Sequence, residues 1–69
     1  MKLKFWWIKE RHNPQIGTYY VACGQLSLRD ARRYEKPLYG DNVMLRFSTE
    51  AAYREKLAAL TKAGERVQE

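Results

Sequence analysis

The segment "KFWWIKERHNPQIGTYYVACG", from Lys4 to Gly24, has the pattern of two strands joined by a short loop. Its first half is aromatic and apolar in the middle and lacks a helical period, which predicts a strand over residues 2–11. In the loop "NPQIG", Asn13-Pro14 opens a turn and Gly17 can adopt a positive φ. The returning strand covers residues 17–26, so the stretch predicts a β-hairpin.

Both predicted strands contain adjacent aromatic residues, Trp6–Trp7 and Tyr19–Tyr20, which places rings on both faces of the hairpin. We expect one face to form the core and the other to be open. The expected register sets Glu10 opposite Tyr20, Ile8 opposite Ala22, Trp6 opposite Gly24 and Trp7 opposite Cys23. The predicted core face comprises Leu3, Phe5, Trp7, Val21 and Cys23, joined by Val43, Leu45 and Phe47. The predicted open face carries Trp6, Tyr20 and Met44, where Trp6 either binds a partner or only covers Gly24.

Two helices and a third strand follow the hairpin. Ser27 is a predicted N-cap, and the first helix should end near Glu35 or Lys36 because Pro37 disfavours helical geometry just before it. A third strand is predicted over residues 43–47. Thr49 should cap a second helix over residues 50–63, which buries Tyr53, Leu57 and Leu60 and stops at Gly64.

The resulting order, β-β-α-β-α, predicts an α+β fold. A right-handed crossover makes the third strand parallel to the second, so a position beside the first strand makes it antiparallel to that strand. We therefore expect a three-stranded antiparallel sheet of order 2-1-3 with both helices on one face. Residues 1–64 are expected to form a single compact domain, and residues 65–69 a frayed tail.

The net charge of +5 lies entirely in the first two thirds of the chain. Through Arg46 there are nine basic residues and four acidic ones, whereas four of each follow. This excess favours an anionic partner, with a merely solubilising surface charge as the alternative. On the first predicted helix the basic side chains share one arc that lies opposite the apolar arc; these are Arg29, Arg32, Arg33 and Lys36.

The sequence does not predict an enzyme. The single histidine, His12, lies beside the hairpin loop with Glu10 as its one evident orienting acid. Cys23, the single cysteine, is expected to be a small buried side chain, and it cannot form an intrachain disulfide. We expect no cofactor and no metal site. The lone thiol and the short N-terminal apolar run predict a cytoplasmic protein. We expect neither a membrane nor a small-molecule substrate among its partners.

The composition instead predicts a binding module with a basic and aromatic surface. Nucleic acid is the first expected partner, since bases stack on exposed rings and basic side chains contact phosphates. The alternative is a protein inhibitor or adaptor that docks on an acidic or nucleic-acid-binding protein through Trp, Tyr and Arg side chains. That alternative is similar in style to phage accessory proteins such as anti-CRISPR inhibitors, although no motif carries a family resemblance. The candidate binding residues are Lys4, Trp6, Tyr20, Arg29, Arg32, Arg33, Lys36 and Arg46.

Overall fold

The computed structural model describes residues 3–35 and 40–69 and has an α+β architecture, with a mixed sheet of four strands and two helices. The strands are β1 (Lys4–Asn13), β2 (Gly17–Ser27), β3 (Asp41–Phe47) and β4 (Val67–Gln68). The helices are α1 (Leu28–Arg32) and α2 (Glu50–Lys62). The order along the sheet is β3-β1-β2-β4.

The first three strands have the predicted order, with β1 in the centre and antiparallel to both neighbours. The number of strands differs from the prediction. Residues 67–68 form a fourth strand parallel to β2, with Val67 beside Tyr20. The Tyr20 amide donates a hydrogen bond to the Arg66 carbonyl at 2.8 Å. The sheet is therefore mixed. The fourth strand forms there because Val67 packs against the apolar core beside β2.

The β1–β2 hairpin turns where the sequence predicts. The Asn13 side-chain oxygen accepts hydrogen bonds from the amides of Gln15 (2.8 Å) and Ile16 (3.2 Å). This Asx turn fixes the loop and sets Glu10 opposite Tyr20 and Ile8 opposite Ala22, as expected.

From Trp7 towards the start of β1 the predicted register is wrong, because β2 contains a bulge. Trp7 lies opposite Gly24 and Trp6 opposite Gln25, which leaves Cys23 as the extra residue. The bulge is possible here because Gly24 adopts a φ of 71°, a conformation that side chains with a Cβ rarely adopt.

Helix α2 and its apolar stripe match the prediction, whereas the β1 and β2 residues beneath it belong to the face that was predicted to be open. The Thr49 side chain caps the helix by accepting from the Ala52 amide at 3.1 Å. The buried stripe consists of Tyr53, Leu57 and Leu60, which pack against the fully buried Ile8. The surrounding partly buried side chains are Trp6, Tyr20, Ala22, Leu45, Phe47 and Val67.

The two helices do not share one face of the sheet, so this part of the prediction is wrong. The pairing of Trp6 with Phe47 and of Ile8 with Leu45 places these side chains together under α2. Trp7 and Ala31 are buried but lie outside that cluster. The physical reason is strand pairing: Trp6 and Ile8 lie beside Phe47 and Leu45 of β3, whereas Trp7 lies beside Arg46. The α2 side therefore offers the more continuous apolar surface to a long helix.

Helix α1 is shorter than predicted and lies on the opposite face from α2. It ends at Arg32, with Arg33 as its C-cap, so it spans a little more than one turn. The Lys9 ammonium lies 5.5 Å from the Tyr34 ring centroid, and the Asn42 side chain donates to the Tyr34 carbonyl. We call this face, which carries Phe5, Trp7, Lys9 and Arg11 of β1, the α1 side. The opposite face, with Trp6, Ile8, Glu10 and His12, is the α2 side.

Candidate binding surface

The exposed arginines of α1 form the first part of the candidate surface. Arg29 and Arg32 lie in the helix and Arg33 caps it, and all three are exposed. Arg33 approaches Asp30 at 4.0 Å, but both side chains are at least half exposed, so this ion pair holds Arg33 only weakly. Lys36, the fourth predicted member of this basic arc, lies outside the described residues.

Two further cations reach the same side from the sheet, each above an aromatic ring. Arg46 lies opposite Trp7, and its guanidinium carbon is 4.9 Å from the centroid of Phe5. Lys9 sits at a comparable distance from Tyr34, which is 41% exposed. Such cation–π contacts fix the ring and the charge side by side. Arg46 was predicted to be a binding residue from the sequence, whereas Lys9 was not, because the partner ring of Lys9 is distant in sequence.

The charges of the sheet and helices sort unequally between the two sides. Among the described residues the α1 side carries six cations and two carboxylates: Lys9, Arg11, Arg29, Arg32, Arg33 and Arg46 against Asp30 and Glu35. The α2 side carries four cations and five carboxylates: Lys4, Arg54, Lys56 and Lys62 against Glu10, Asp41, Glu50, Glu55 and the C-terminal Glu69. The tertiary structure thus concentrates positive charge on one side.

Three predicted site residues do not belong to this surface. Trp6 is half-buried beneath α2, with its ring centroid 5.0 Å from that of Tyr53. Tyr20 also packs against the α2 core, and burial together with the Glu10 carboxylate raises the pKa of its hydroxyl. Lys4 is exposed at the end of β1, on the α2 side. The predicted open face with Trp6 and Tyr20 is therefore wrong, because α2 covers it.

Arg11 is a cation that sequence analysis did not single out, and it is buried. Its side chain is only 9% exposed, and its Nη1 has no hydrogen-bond partner among the described residues. Asn42 lies opposite Arg11 on β3, and the Asn42 Oδ1 likewise has no hydrogen-bond partner among the described residues. Arg11 therefore contributes charge to the α1 side from beneath its surface.

Three polar side chains contact one another on the α2 side, next to the hairpin loop: Glu10, His12 and Thr18. His12 Nε2 is 2.6 Å from Glu10 Oε1, and its Nδ1 is 3.0 Å from the Thr18 hydroxyl. Glu10 thus orients His12, as the sequence suggested. Within residues 3–35 and 40–69, no group of three or more His, Cys, Asp or Glu side chains is arranged to hold a metal ion.

Cys23 lines a shallow cleft between β2, α2 and the C-terminal residue, together with Trp6, Tyr53 and Glu69. Burial raises the pKa of its thiol, and the nearby Lys9 opposes that shift only in part. A thiol held protonated is a poor nucleophile at neutral pH, so the cleft has no activated group at this position.

Compared with known proteins, the chain matches no family model, no curated protein and no solved structure. In the described part of the chain, neither helix combines the length and the apolar character needed to cross a lipid bilayer.

Proposed function

We propose that the protein is a small, non-enzymatic module that binds nucleic acid through its α1 side. The observation that carries the proposal is the unequal sorting of charge, with six cations and two carboxylates among the described residues of that side. A surface of this kind attracts phosphates and releases their counterions on binding. Arg29, Arg32 and Arg33 are the proposed phosphate contacts, because they are exposed and, in the described part of the chain, only Arg33 has an acidic neighbour within ion-pair distance.

Aromatic rings on the same side favour single-stranded nucleic acid. Tyr34 is 41% exposed and lies beside Lys9, while the half-buried Phe5 lies beside Arg46. An unpaired base can stack on the ring face that the cation leaves free, while the cation contacts a neighbouring phosphate. A base inside a duplex cannot stack in this way without leaving its partner.

The test is a titration of fluorescently labelled single-stranded and duplex oligonucleotides at several salt concentrations. Replacing Arg29, Arg32 and Arg33 by Gln should weaken binding to the single strand and flatten its salt dependence. For three lost contacts the slope should fall by about two, since each single-strand phosphate contact contributes roughly 0.7. The melting temperature should change little, because exposed charges contribute little to stability.

Helix α2 offers a matched control. Replacing Arg54, Lys56 and Lys62 by Gln removes the same number of charges from exposed positions on the α2 side. This control should retain most of the affinity. Equal losses for both triple variants would mean that net charge alone drives binding and would reject the α1 side as the contact surface.

A second candidate function is an inhibitor or adaptor that docks the same side on an acidic or nucleic-acid-binding protein. One observation favours it: Leu28 on α1 is 43% exposed beside the arginines, and an apolar side chain suits a protein partner better than phosphates. Titration with polyglutamate provides the probe. Binding to polyglutamate that slows in the α1 triple variant, with no oligonucleotide binding by either protein, would favour this candidate.

A further inference from the structure

The outer edge of β3 is open in the described part of the chain. The sheet order places β3 at one end, and its inner edge pairs with β1 from Asp41 to Phe47. Among residues 3–35 and 40–69, no strand pairs with its other edge. At the far end of the sheet β4 covers part of β2, so the two edges differ. An open edge presents unpaired amides and carbonyls that can bind another strand.

The sequence of β3, "DNVMLRF", matches itself when a second copy runs antiparallel to it around Met44. In that register Val43 lies opposite Leu45 and Asn42 lies opposite Arg46, while Asp41 lies opposite Phe47 at the two ends of the pairing. Both apolar pairs then fall on the α2 side, and both Asn–Arg pairs fall on the α1 side. The two Arg46 side chains stay apart, so no like charges meet.

This pairing covers an exposed apolar side chain of β3. Val43 is 43% exposed, because its cross-strand neighbour on β1 is Glu10 and no described strand lies on its outer side. A second copy would place its Leu45 against Val43.

We propose that the protein forms a two-fold symmetric dimer by antiparallel pairing of β3 with β3 of a second copy. The symmetry axis runs perpendicular to the sheet, so the two four-stranded sheets become one. This symmetry keeps both α1 sides on the same face of the dimer, which doubles the length of the basic surface. The dimer does not depend on the proposed function, because it rests on the edge of the sheet and not on its charge.

The test uses sedimentation or light scattering to measure the mass of the native chain over a concentration series. Wild-type protein should approach twice the chain mass as concentration rises. Met44 lies on the symmetry axis, so Met44→Glu and Met44→Lys each place like charges opposite each other and should each give a monomer. An equimolar mixture of the two variants should recover the dimer mass, because the introduced carboxylate then faces the introduced ammonium.

Recovery in the mixture separates loss of pairing from loss of folding, since an unfolded variant cannot be rescued by its partner. Ile16→Glu and Ile16→Lys are the controls, because Ile16 is 59% exposed in the hairpin loop and away from β3. Both should behave as wild type. A monomer mass for wild type at every concentration would overturn the proposal, and so would a dimer that persists in both Met44 variants.

Discussion

At the scale of single residues, Gly24 and Gly40 have the same backbone conformation but different surroundings. Their φ angles are 71° and 75°, in the region that side chains with a Cβ rarely adopt. A Cβ at Gly24 would meet nothing within 4 Å, whereas one at Gly40 would lie 1.9 Å from the His12 carbonyl oxygen. Gly24→Ala should therefore cost about 1–2 kcal/mol of unfolding free energy from backbone strain alone. Gly40→Ala should cost clearly more, because the backbone of β1 must also move.

Urea denaturation of the two variants, beside wild type, measures this difference. Equal costs would mean that Gly40 does not approach β1 as closely as the structure has it.

At the scale of elements, α2 begins at an N-cap formed by the Thr49 side chain. Thr49 accepts the Ala52 amide and starts a helix of 13 residues that covers the core. Thr49→Ala should destabilise the protein by about 1 kcal/mol, as N-cap losses commonly do. Thr49→Ser keeps the accepting hydroxyl and should stay close to wild type in the same thermal unfolding experiment. If Ser were as destabilising as Ala, the Thr49 hydroxyl would not be the source of the stabilisation.

At the scale of the whole molecule, the sheet is covered on both faces, so neither tryptophan of the Trp6–Trp7 pair is free. Trp7 is 6% exposed and donates its indole N–H to the Leu26 carbonyl at 2.9 Å, while Trp6 is half-buried against Tyr53. Trp7→Ala should cost about 3–5 kcal/mol, which is enough to unfold a domain of this size. Trp6→Ala should cost about 2 kcal/mol through lost packing under α2.

Leu3→Ala provides the exposed control for these two truncations, because Leu3 is 76% exposed and its loss should stay within about 0.5 kcal/mol. A Trp6→Ala variant as stable as Leu3→Ala would contradict the placement of α2 over Trp6.

The positions of elements with local sequence signals could be predicted from the sequence. The Asn13 turn, the Thr49 cap, the apolar stripe of α2 and the alternation of β3 each depend on neighbouring residues, and each is found where it was predicted. The central position of β1 in the sheet was also predictable from the sequence, because β1 is the most apolar of the three predicted strands. Arg29, Arg32 and Arg33 were predicted to be exposed on the same grounds.

The face of the sheet that each helix covers depends on contacts between residues that are distant in sequence. Both faces of the hairpin carry rings, so a choice between Trp6 and Trp7 could not be made from alternation alone. The choice depends on the pairing of Trp6 with Phe47, which aligns residues 41 apart in sequence, and on the bulge at Cys23. That pairing turned Trp6 and Tyr20 from an expected contact surface into core. It also placed Lys9, Arg11 and Arg46 together on the opposite side, because residues paired across neighbouring strands share a face of the sheet.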